Sequence, residues 1–436
     1  MGNLVDAFIA LRQELAVPAA MVAEIALRFQ EEMIAGLRGQ LSTLKMLPSF
    51  LAKPNGEEKG DFLAIDFGGT NVRIILVELS GQGRFSIKAA RSFPLKDRQK
   101  GYDYTANTAS GNELFDFIAA NIEELADRHG RYSLGHTFSF PCRQTGLNQA
   151  ILIIWTKEIK TQGVEGQDVG TLLQAALDQR QMTHVVAKAI INDTVGTLLA
   201  AAYSDRWADI GSICGTGHNT CYLEPCSPLT GKPMIINMES GNFDKIAVTE
   251  YDRLLDQASE KPGKQRLEKM SSGRYVGELV SIISSQYGKK GLLGTGFQQP
   301  AGLVPLGGEQ VAALVADNTP GLTQVQEVIE GQWGASGSTL AERQAIREIA
   351  ELVINRSARL VAATFLGVIR HIDPELQQRH TIAIDGSLYE KMPGYASRLK
   401  AALAENLAAK ASLITVVLTK DGSGVGAAIA AAIADQ

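Results

Sequence analysis

The first forty residues show the apolar spacing of two consecutive helices. Between residues 4 and 15, apolar side chains recur at steps of three or four, and after Pro18 a second apolar stripe recurs every four residues from Met21 to Leu37. Residues at this spacing share one face of an α-helix, so each stripe predicts a helix with one buried face. The turn-rich segment 54–61 then predicts a domain boundary.

The pattern changes after residue 61 to one that predicts an antiparallel meander. An apolar run at 62–66 ends in a carboxylate, a Gly-Gly-Thr turn follows at 68–70, and the segment 72–79 is rich in β-branched residues. Such residues favour strands, and turn residues between them favour a tight connection. A third strand is expected around residues 85–89.

A related pattern recurs in the middle of the chain. The segment 209–214 is apolar, Gly215-Thr216-Gly217 follows as a turn, and residues 219–224 are again apolar. Two strand–turn–strand units in one chain suggest a duplicated domain architecture. Helical patterns at 112–128, 169–178 and 339–371, strands at 188–191, 381–385 and 413–418, and an alanine-rich last helix complete an α/β assignment.

Composition excludes several classes of protein. The 436 residues are 45% hydrophobic and 20% charged, which is typical of a folded globular chain, and the length allows two to four domains. The formal net charge of −5 argues against a broad electrostatic grip on nucleic acid or on anionic lipid. The 43 glycines exceed the usual share, which suggests many tight turns or close backbone approaches to a ligand.

The cysteines and the N-terminus bear on the compartment. The chain has 4 cysteines without zinc-finger spacing, which suits a reducing environment. No continuous apolar run is long enough to span a bilayer, and the N-terminus lacks the basic region of a secretory signal. We therefore expect a cytoplasmic protein without membrane or nucleic-acid partners.

Three glycine turns follow predicted strands, at 68–70, 215–217 and 422–424. Each turn alone is more often a plain tight turn, but backbone N–H groups in such turns can also cradle phosphate oxygens. Together the three favour a nucleotide-phosphate site. Asp66, at the end of a strand, could hold Mg²⁺ directly or through water. No P-loop motif is present in the sequence.

A second set of polar residues also follows apolar strands. Three groups of polar residues stand at predicted strand ends: Ser139, Thr156-Lys157 and Asn192-Asp193-Thr194. In α/β domains, ligand sites form where such strand ends converge. Such a set suits a small polyhydroxyl ligand, with Asp193 able to act as a general base. Alternatively, Asn192-Asp193-Thr194 is a helix N-cap, which is compatible with that role, and Lys157 alone is a solvated surface lysine.

Eight segments along the chain carry motifs that belong together. They are 59–71 (KGDFLAIDFGGTN), 137–142 (TFSFPC), 155–157 (WTK), 163–166 (GVEG), 191–197 (INDTVGT), 215–219 (GTGHN), 262–265 (PGKQ) and 385–389 (DGSLY). In these motifs and their order, the chain resembles the hexokinases of eukaryotes over one catalytic unit, from about residue 47 to the C-terminus. The chain departs from the family at Ser240, where the family usually has a tryptophan after the sugar-binding glutamate.

The resemblance implies an actin-like, RNase H-like ATPase fold with two lobes and a cleft. It also implies transfer of the ATP γ-phosphoryl group, with Mg²⁺, to the 6-hydroxyl of a hexose, with glucose the first candidate. It assigns Asp193 as the general base. The implied sugar ligands are Ser139, Thr156, Lys157, Asn192, Asn219, Glu239 and Glu268. The implied nucleotide ligands are Asp66 (also serving the metal, through water), Gly68, Gly69, Thr70, Arg73, Thr216, Gly386, Ser387 and Ser423.

The lobes implied by the resemblance are residues 61–194 with 422–436 for the smaller, and residues 1–60 with 195–421 for the larger. Because a kinase must exclude water from its phosphoryl donor, we expect the lobes to close on the sugar. Ser139, Thr156 and Lys157 should then lie on the smaller lobe, opposite Asn219, Glu239 and Glu268. A monomer or a homodimer is expected. Two alternatives are an inactive sugar sensor and an actin-like ATPase without a sugar substrate.

Overall fold

The computed structural model of the protein describes residues 2–156, 158–299 and 302–436. The helices are α1 (Gly2–Leu15), α2 (Ala19–Leu37), α3 (Gly111–Glu123), α4 (Val169–Gln179), α5 (Asp193–Ser204), α6 (Glu250–Ala258), α7 (Arg266–Ser271), α8 (Gly273–Lys289), α9 (Gly308–Ala316), α10 (Thr323–Trp333), α11 (Leu340–Ile372), α12 (Ser387–Lys391), α13 (Tyr395–Leu407) and α14 (Gly422–Ala434). The strands are β1 (Leu47–Pro48), β2 (Lys59–Phe67), β3 (Asn71–Gly81), β4 (Arg84–Pro94), β5 (Lys96–Asp97), β6 (Tyr102–Asp103), β7 (Tyr132–Phe138), β8 (Cys142–Gly146), β9 (Gln149–Leu152), β10 (Val185–Ile191), β11 (Ala208–Cys214), β12 (His218–Glu224), β13 (Met234–Asn237), β14 (His380–Asp385) and β15 (Ile414–Leu418).

Two central sheets repeat one topology. The first has the order β4-β3-β2-β7-β10, in which β2, β3 and β4 form an antiparallel meander and β7 and β10 run parallel to β2. The second has the order β13-β12-β11-β14-β15 with the same directions, and β1 is added beside β13. The expected duplication is therefore confirmed.

Helices α5 and α14 lie between the two sheets. Helix α14 packs on α5 and on β2, β7 and β10, while α5 also packs on β11. The two helices approach so closely that a Cβ added to Gly426 would lie 2.0 Å from the carbonyl oxygen of Gly196. Only glycine fits at such a helix–helix contact. The lobe boundaries remain a prediction, and the one at residues 194–195 would fall inside α5.

The predicted N-terminal helices pack on the larger hydrophobic core. Both α1 and α2 contact α11, and Phe8, Phe29 and Met33 are buried in this core. Helix α11 has an 18-residue window of mean hydropathy 1.5, which by length and composition alone would suffice to cross a bilayer. Of that window 83% is buried inside the protein, as in the core helix of a globular domain.

The glycine-rich segment 288–308 is described up to residue 299 and again from 302. Its later part is held over α8 by Ser281, whose Oγ accepts the N–H of Leu306 at 3.0 Å. The indole Nε1 of Trp333 donates to the carbonyl of Val304 at 2.8 Å. This part therefore packs as an ordered covering of the larger core.

Candidate active site

Helix α5 begins at the proposed base. Its N-cap residue is Asn192, whose Oδ1 accepts the backbone N–H of Thr194 at 3.0 Å and the Thr194 hydroxyl at 2.7 Å. The N-cap interpretation of this motif is therefore confirmed. Asp193 is the first helical residue and is partly exposed, and its Oδ1 also accepts the Thr194 N–H, at 2.8 Å. A carboxylate at a helix N-terminus is stabilised by the helix dipole.

A cluster of amides and one carboxylate stands beside this helix start. Asn219 Nδ2 donates to Asn237 Oδ1 at 2.9 Å and to Glu239 Oε1 at 3.3 Å, and Asn237 Nδ2 donates to the same glutamate oxygen at 2.9 Å. Asn192 Oδ1 lies 3.5 Å from Asn219 Nδ2. Asn192, the N-cap residue just before the base, therefore meets the start of β12 and the end of β13.

Glu239 is held in an unusual environment. Its backbone is left-handed, with φ 53° and ψ 49°, a conformation that costs free energy in a residue other than glycine. Burial raises the pKa of its carboxyl group, and the charge of Asp193 raises it further, while hydrogen bonds from Asn237 and Asn219 and the charge of Lys45 oppose the rise. Ligand sites commonly contain a buried carboxylate whose charged form is stabilised by fixed hydrogen-bond donors.

Glu268 reaches the same region from α7. Its Oε2 accepts the backbone N–H of His218 at 3.0 Å, and its Oε1 accepts the side-chain amide of Gln265 at 3.0 Å. His218 directly precedes Asn219 on β12, so Glu268 stands next to the amide cluster. The predicted residues Asn192, Asn219, Glu239 and Glu268 are therefore neighbours.

Ser139 and Thr156 come from the opposite sheet and its connections. Ser139 follows β7 and stands between the buried side chains of Phe138 and Phe140. Thr156 follows Trp155, whose indole packs edge-on against Phe140 at 4.9 Å between ring centroids. This aromatic packing fixes the two loops that carry the predicted sugar ligands. Lys157 lies outside the described residues.

A cavity of about 220 Å³ joins the elements of the two sheets. Its lining includes Lys45, Phe138, Cys142, Asn192 and Glu239, among others. This volume is below the range of typical drug-sized ligand pockets and suits a small molecule. Asn192, Asn237 and Glu239 all line this cavity, which therefore lies beside the residue that precedes the proposed base.

The predicted phosphate residues gather around Asp66. Ser423 Oγ, in the first turn of α14, donates to Asp66 Oδ2 at 2.6 Å, and the Ser423 carbonyl accepts the Thr137 hydroxyl at 2.7 Å. Arg73 stands opposite Asp66 in the β2–β3 pairing and forms an ion pair with Asp421. Hydrogen bonding to Asp421 raises the pKa of Arg73, whose guanidinium remains charged.

Residues 68–70 form the turn between β2 and β3 directly beyond Asp66. Gly68 and Thr70 are exposed, whereas Gly69 is buried and has φ 134°. The Thr70 carbonyl accepts the N–H of Leu95 at 2.9 Å, which anchors the turn to the segment after β4. The turn is therefore open to solvent on one side and held in place on the other.

Asp385 joins this group, although the sequence patterns above predict no role for it. Burial raises its pKa to about 6, the charges of Asp66 and Asp421 raise it as well, and backbone N–H groups of Gly386 and Gly422 oppose the rise. The signal that could have identified it is the apolar run 381–385, which ends in Asp as the run before Asp66 does. Asn237, also missed, stands likewise at the end of a buried strand.

Gly386 and the turn 215–217 approach each other at the edge of the second sheet. Gly386 has φ 121°, and a Cβ there would lie 2.6 Å from the carbonyl of Cys214, so glycine is required. Thr216 is exposed, and its carbonyl accepts the N–H of Arg274 at 3.1 Å. Ser387 is exposed at the start of α12. Thr216 and Ser387 thus border one surface next to the Asp385 carboxylate.

The carboxylates here are hard oxygen donors. Among the described residues, no three His, Cys, Asp or Glu side chains are arranged to hold a metal ion between them. Mg²⁺ is usually bound by one or two carboxylates together with waters and substrate phosphates, a pattern that Asp66 and Asp385 fit.

Comparisons with known proteins agree with this arrangement. Two family models described as hexokinase match residues 8–203 and 209–433. Hexokinase-7 of Oryza sativa is 37% identical over 98% of this chain and 96% of its own length. Human hexokinase-3 is 37% identical over 95% of this chain but 45% of its own length, so the chain spans about half of that relative.

Solved structures give the same result. A hexokinase crystal structure superposes with a TM-score of 0.88 at 32% identity, covering 99% of this chain and 100% of that one. The hexokinase of Schistosoma mansoni, determined in complex with glucose, gives a TM-score of 0.84 at 32% identity, with 99% of each chain covered. The fold is thus that of the actin-like ATPases, with two lobes. Within that class, the chain belongs to the hexokinase family.

Proposed function

We propose that this chain transfers the γ-phosphoryl group of ATP to the 6-hydroxyl of a hexose, with glucose the first candidate. One observation carries the proposal. Asn219 Nδ2 lies 3.5 Å from Asn192 Oδ1 and 3.3 Å from Glu239 Oε1, which puts the residue before the proposed base beside a carboxylate suited to a sugar hydroxyl. Membership of the hexokinase family supports the same reaction.

The sugar is held by groups of opposite hydrogen-bonding character. Glu239 and Glu268 accept hydroxyl protons, and Asn192 and Asn219 can both donate and accept. Ser139 and Thr156 complete the set from the other side of the cleft, and Lys157 remains a further predicted ligand. Because a buried polar group left unpaired is costly, a site of this kind discriminates strongly against ligands that lack a hydroxyl.

Asp193 takes the proton from the 6-hydroxyl as the sugar oxygen attacks the γ-phosphorus. A bond forms between that oxygen and phosphorus, the bond from phosphorus to the β–γ bridging oxygen breaks, and ADP leaves with the electron pair. A base positioned in this way contributes about 10²–10⁴-fold to rate. Phosphoryl transfer otherwise depends on positioning and on neutralisation of charge.

Residues of the glycine turns at 68–70 and 215–217, and residues near them, hold the nucleotide. Gly68, Gly69, Thr70 and Thr216 offer backbone N–H and hydroxyl donors, and Arg73 offers positive charge. Gly386, Ser387 and Ser423 border the nucleotide, with Ser423 at the phosphate end through its hydrogen bond to Asp66. Asp66, through water, and Asp385 fit Mg²⁺. When bound, Mg²⁺ neutralises charge on the phosphate oxygens.

The deciding experiment is a coupled assay of ADP formation with glucose, fructose, mannose or no sugar. ADP formation that requires a hexose is the expected result, and the ranking of the three sugars gives the preference. Equal ADP formation without sugar would instead support the actin-like ATPase alternative. Sugar binding without ADP formation would support the inactive sensor.

A further inference from the structure

The segment that links α2 to β1 places a lysine at the cavity that Glu239 also lines. β1 pairs antiparallel with β13, with Leu47 opposite Asn237. The backbone N–H of Lys45 donates to the carbonyl of Met238, the residue before Glu239, at 2.9 Å. Met46, whose φ is 48°, interrupts the strand pairing, and the hydrogen bond to Met238 then holds the Lys45 backbone next to the residue that precedes Glu239. Lys45 and Glu239 both line the 220 Å³ cavity.

The turn before Lys45 is fixed by a carboxylate of α2. Glu32 Oε2 accepts the backbone N–H of Thr43 at 2.6 Å and the hydroxyls of Thr43 and Ser42 at 3.0 Å each. Because these bonds and the bond to Met238 hold the backbone on both sides, Lys45 has a defined position although its side chain is exposed. Lys45 is therefore anchored through its backbone at the cavity that Glu239 also lines.

The groups that face Glu239 are mostly acidic or neutral. Asp193 approaches from α5, Glu268 from α7 and Cys142 from β8, where burial raises the pKa of the thiol to about 12 and so keeps it neutral. Asn219 and Asn237 donate hydrogen bonds but carry no charge. Lys45 and Arg143 are the cationic side chains among the residues that line the cavity.

We propose that Lys45 is a positioning residue for the sugar, whose ammonium group keeps Glu239 ionised so that the glutamate accepts sugar hydroxyls. This inference rests on the proposed function. The lysine does not act on the reacting atoms. Burial and repulsion from Asp193 both raise the pKa of Glu239, and the positive charge of Lys45 lowers it.

The effect should be modest and should depend on pH. Because Lys45 is exposed, solvent screens its charge, and loss of such a charge weakens binding roughly twofold to fivefold at neutral pH. Loss of the cation lets the Glu239 pKa rise, so the variant should lose affinity further as the pH falls. A role limited to packing would weaken binding equally at every pH.

The test compares Lys45→Met with Lys45→Arg and with Lys232→Met, a control at the exposed turn between β12 and β13. Glucose affinity is measured by calorimetry without nucleotide, from about pH 5.5 to about pH 8. KM and kcat are measured in the coupled assay. We expect Lys45→Met to weaken glucose binding increasingly toward low pH with kcat at saturating sugar nearly unchanged. The other two variants should match the wild type.

Two results would overturn the proposal. One is a pH profile of Lys45→Met that parallels the wild type, and the other is an equal loss of affinity in Lys45→Arg. Melting temperatures of all variants verify that each is folded. Failure of the wild type itself to bind glucose would instead overturn the proposed function, and with it this inference, so the two failures are distinguishable.

Discussion

The hydroxyl of Ser423 donates a 2.6 Å hydrogen bond to Oδ2 of Asp66. The two residues are 357 positions apart, and they join the first turn of the last helix to the first glycine turn of the chain. The neighbouring ion pair between Arg73 and Asp421 connects the same two segments. The C-terminal helix therefore forms part of the proposed phosphate site.

Replacing Ser423 by alanine removes this bond and should weaken nucleotide use. A hydrogen bond to a charged group contributes about 1.5–3 kcal/mol, which corresponds to roughly a tenfold to hundredfold rise in the KM for ATP. The KM for glucose should remain unchanged, because Ser423 is placed on the phosphate side. Steady-state kinetics with each substrate varied in turn provides the measurement.

Ser423→Thr serves as the matched control, since it keeps the hydroxyl. Near-wild-type kinetics in this variant would assign the effect to the hydrogen bond. An alanine variant whose KM values for ATP and glucose rise together would contradict the placement of Ser423.

The packing of α14 on α5 predicts a sharp difference between two glycines of one helix. At Gly426 an added methyl group would lie 2.0 Å from the Gly196 carbonyl oxygen, whereas at Gly424 it would meet the flexible end of Ile75 at 3.0 Å. Gly426→Ala should destabilise the protein by several kcal/mol, and Gly424→Ala by about 1 kcal/mol or less. Thermal and urea unfolding measure both, and equal effects would argue against the close contact.

His380 predicts how stability changes with pH. Its Nδ1 lies 2.5 Å from Asp209 Oδ2 and its Nε2 lies 3.1 Å from Asp373 Oδ2. Burial opposes the charged imidazolium, but the hydrogen bonds and charges of the two carboxylates prevail and raise the pKa of His380 above its ordinary value. A raised histidine pKa stabilises the folded state at low pH, and this stabilisation is lost as pH rises through the folded-state pKa.

The free energy of unfolding of the wild type should therefore fall between about pH 6 and pH 8, relative to His380→Gln. Urea unfolding of both proteins across this range measures the difference. Parallel curves for the two proteins would show that His380 does not gain a proton on folding.

Lobe closure on the sugar predicts a more compact enzyme. The proposed sugar ligands come from elements of both sheets, so a bound hexose should draw the lobes together. Small-angle scattering should show a smaller radius of gyration with saturating glucose than without it. A radius that is the same in both states would contradict closure, provided calorimetry shows the sugar to be bound.

Local sequence predicted the parts of the fold in which apolar spacing and turn residues agree. The strand ending at Asp66, its Gly-Gly-Thr turn and the repeated unit near Gly215 all carry such signals, and the two sheets repeat as expected. The start of α5 could also be predicted, because Asn192-Asp193-Thr194 has the sequence of a helix N-cap, and the structure confirms that Asn192 caps this helix.

The third strand shows where local sequence fails. Residues 85–89 were expected, but β4 runs from Arg84 to Pro94 and is exposed along most of its length. Its extent is set by pairing with β3 rather than by alternating burial, so its sequence carries no strand periodicity. The predicted helix 112–128 likewise ends earlier, at Glu123.

Site residues that depend on distant contacts were missed for a related reason. Asp385 is identified by the approach of Asp66 and Asp421, and Lys45 by its backbone hydrogen bond to Met238, just after β13. Neither contact can be read from spacing along the chain. The sequence motifs identified the residues proposed to bind substrate or to act as the base. The residues that influence the charge of those side chains could be identified only from the folded structure.

The central claim is that Asp193 is the base for a hexose held in the cleft. Its most direct test is ADP formation by the wild type and by Asp193→Asn, with and without glucose, alongside calorimetry of glucose binding to both. We expect the wild type to need glucose, and the variant to bind glucose but to lose about 10²–10⁴-fold in kcat. Glucose-dependent phosphorylation that survives in the variant would contradict the account.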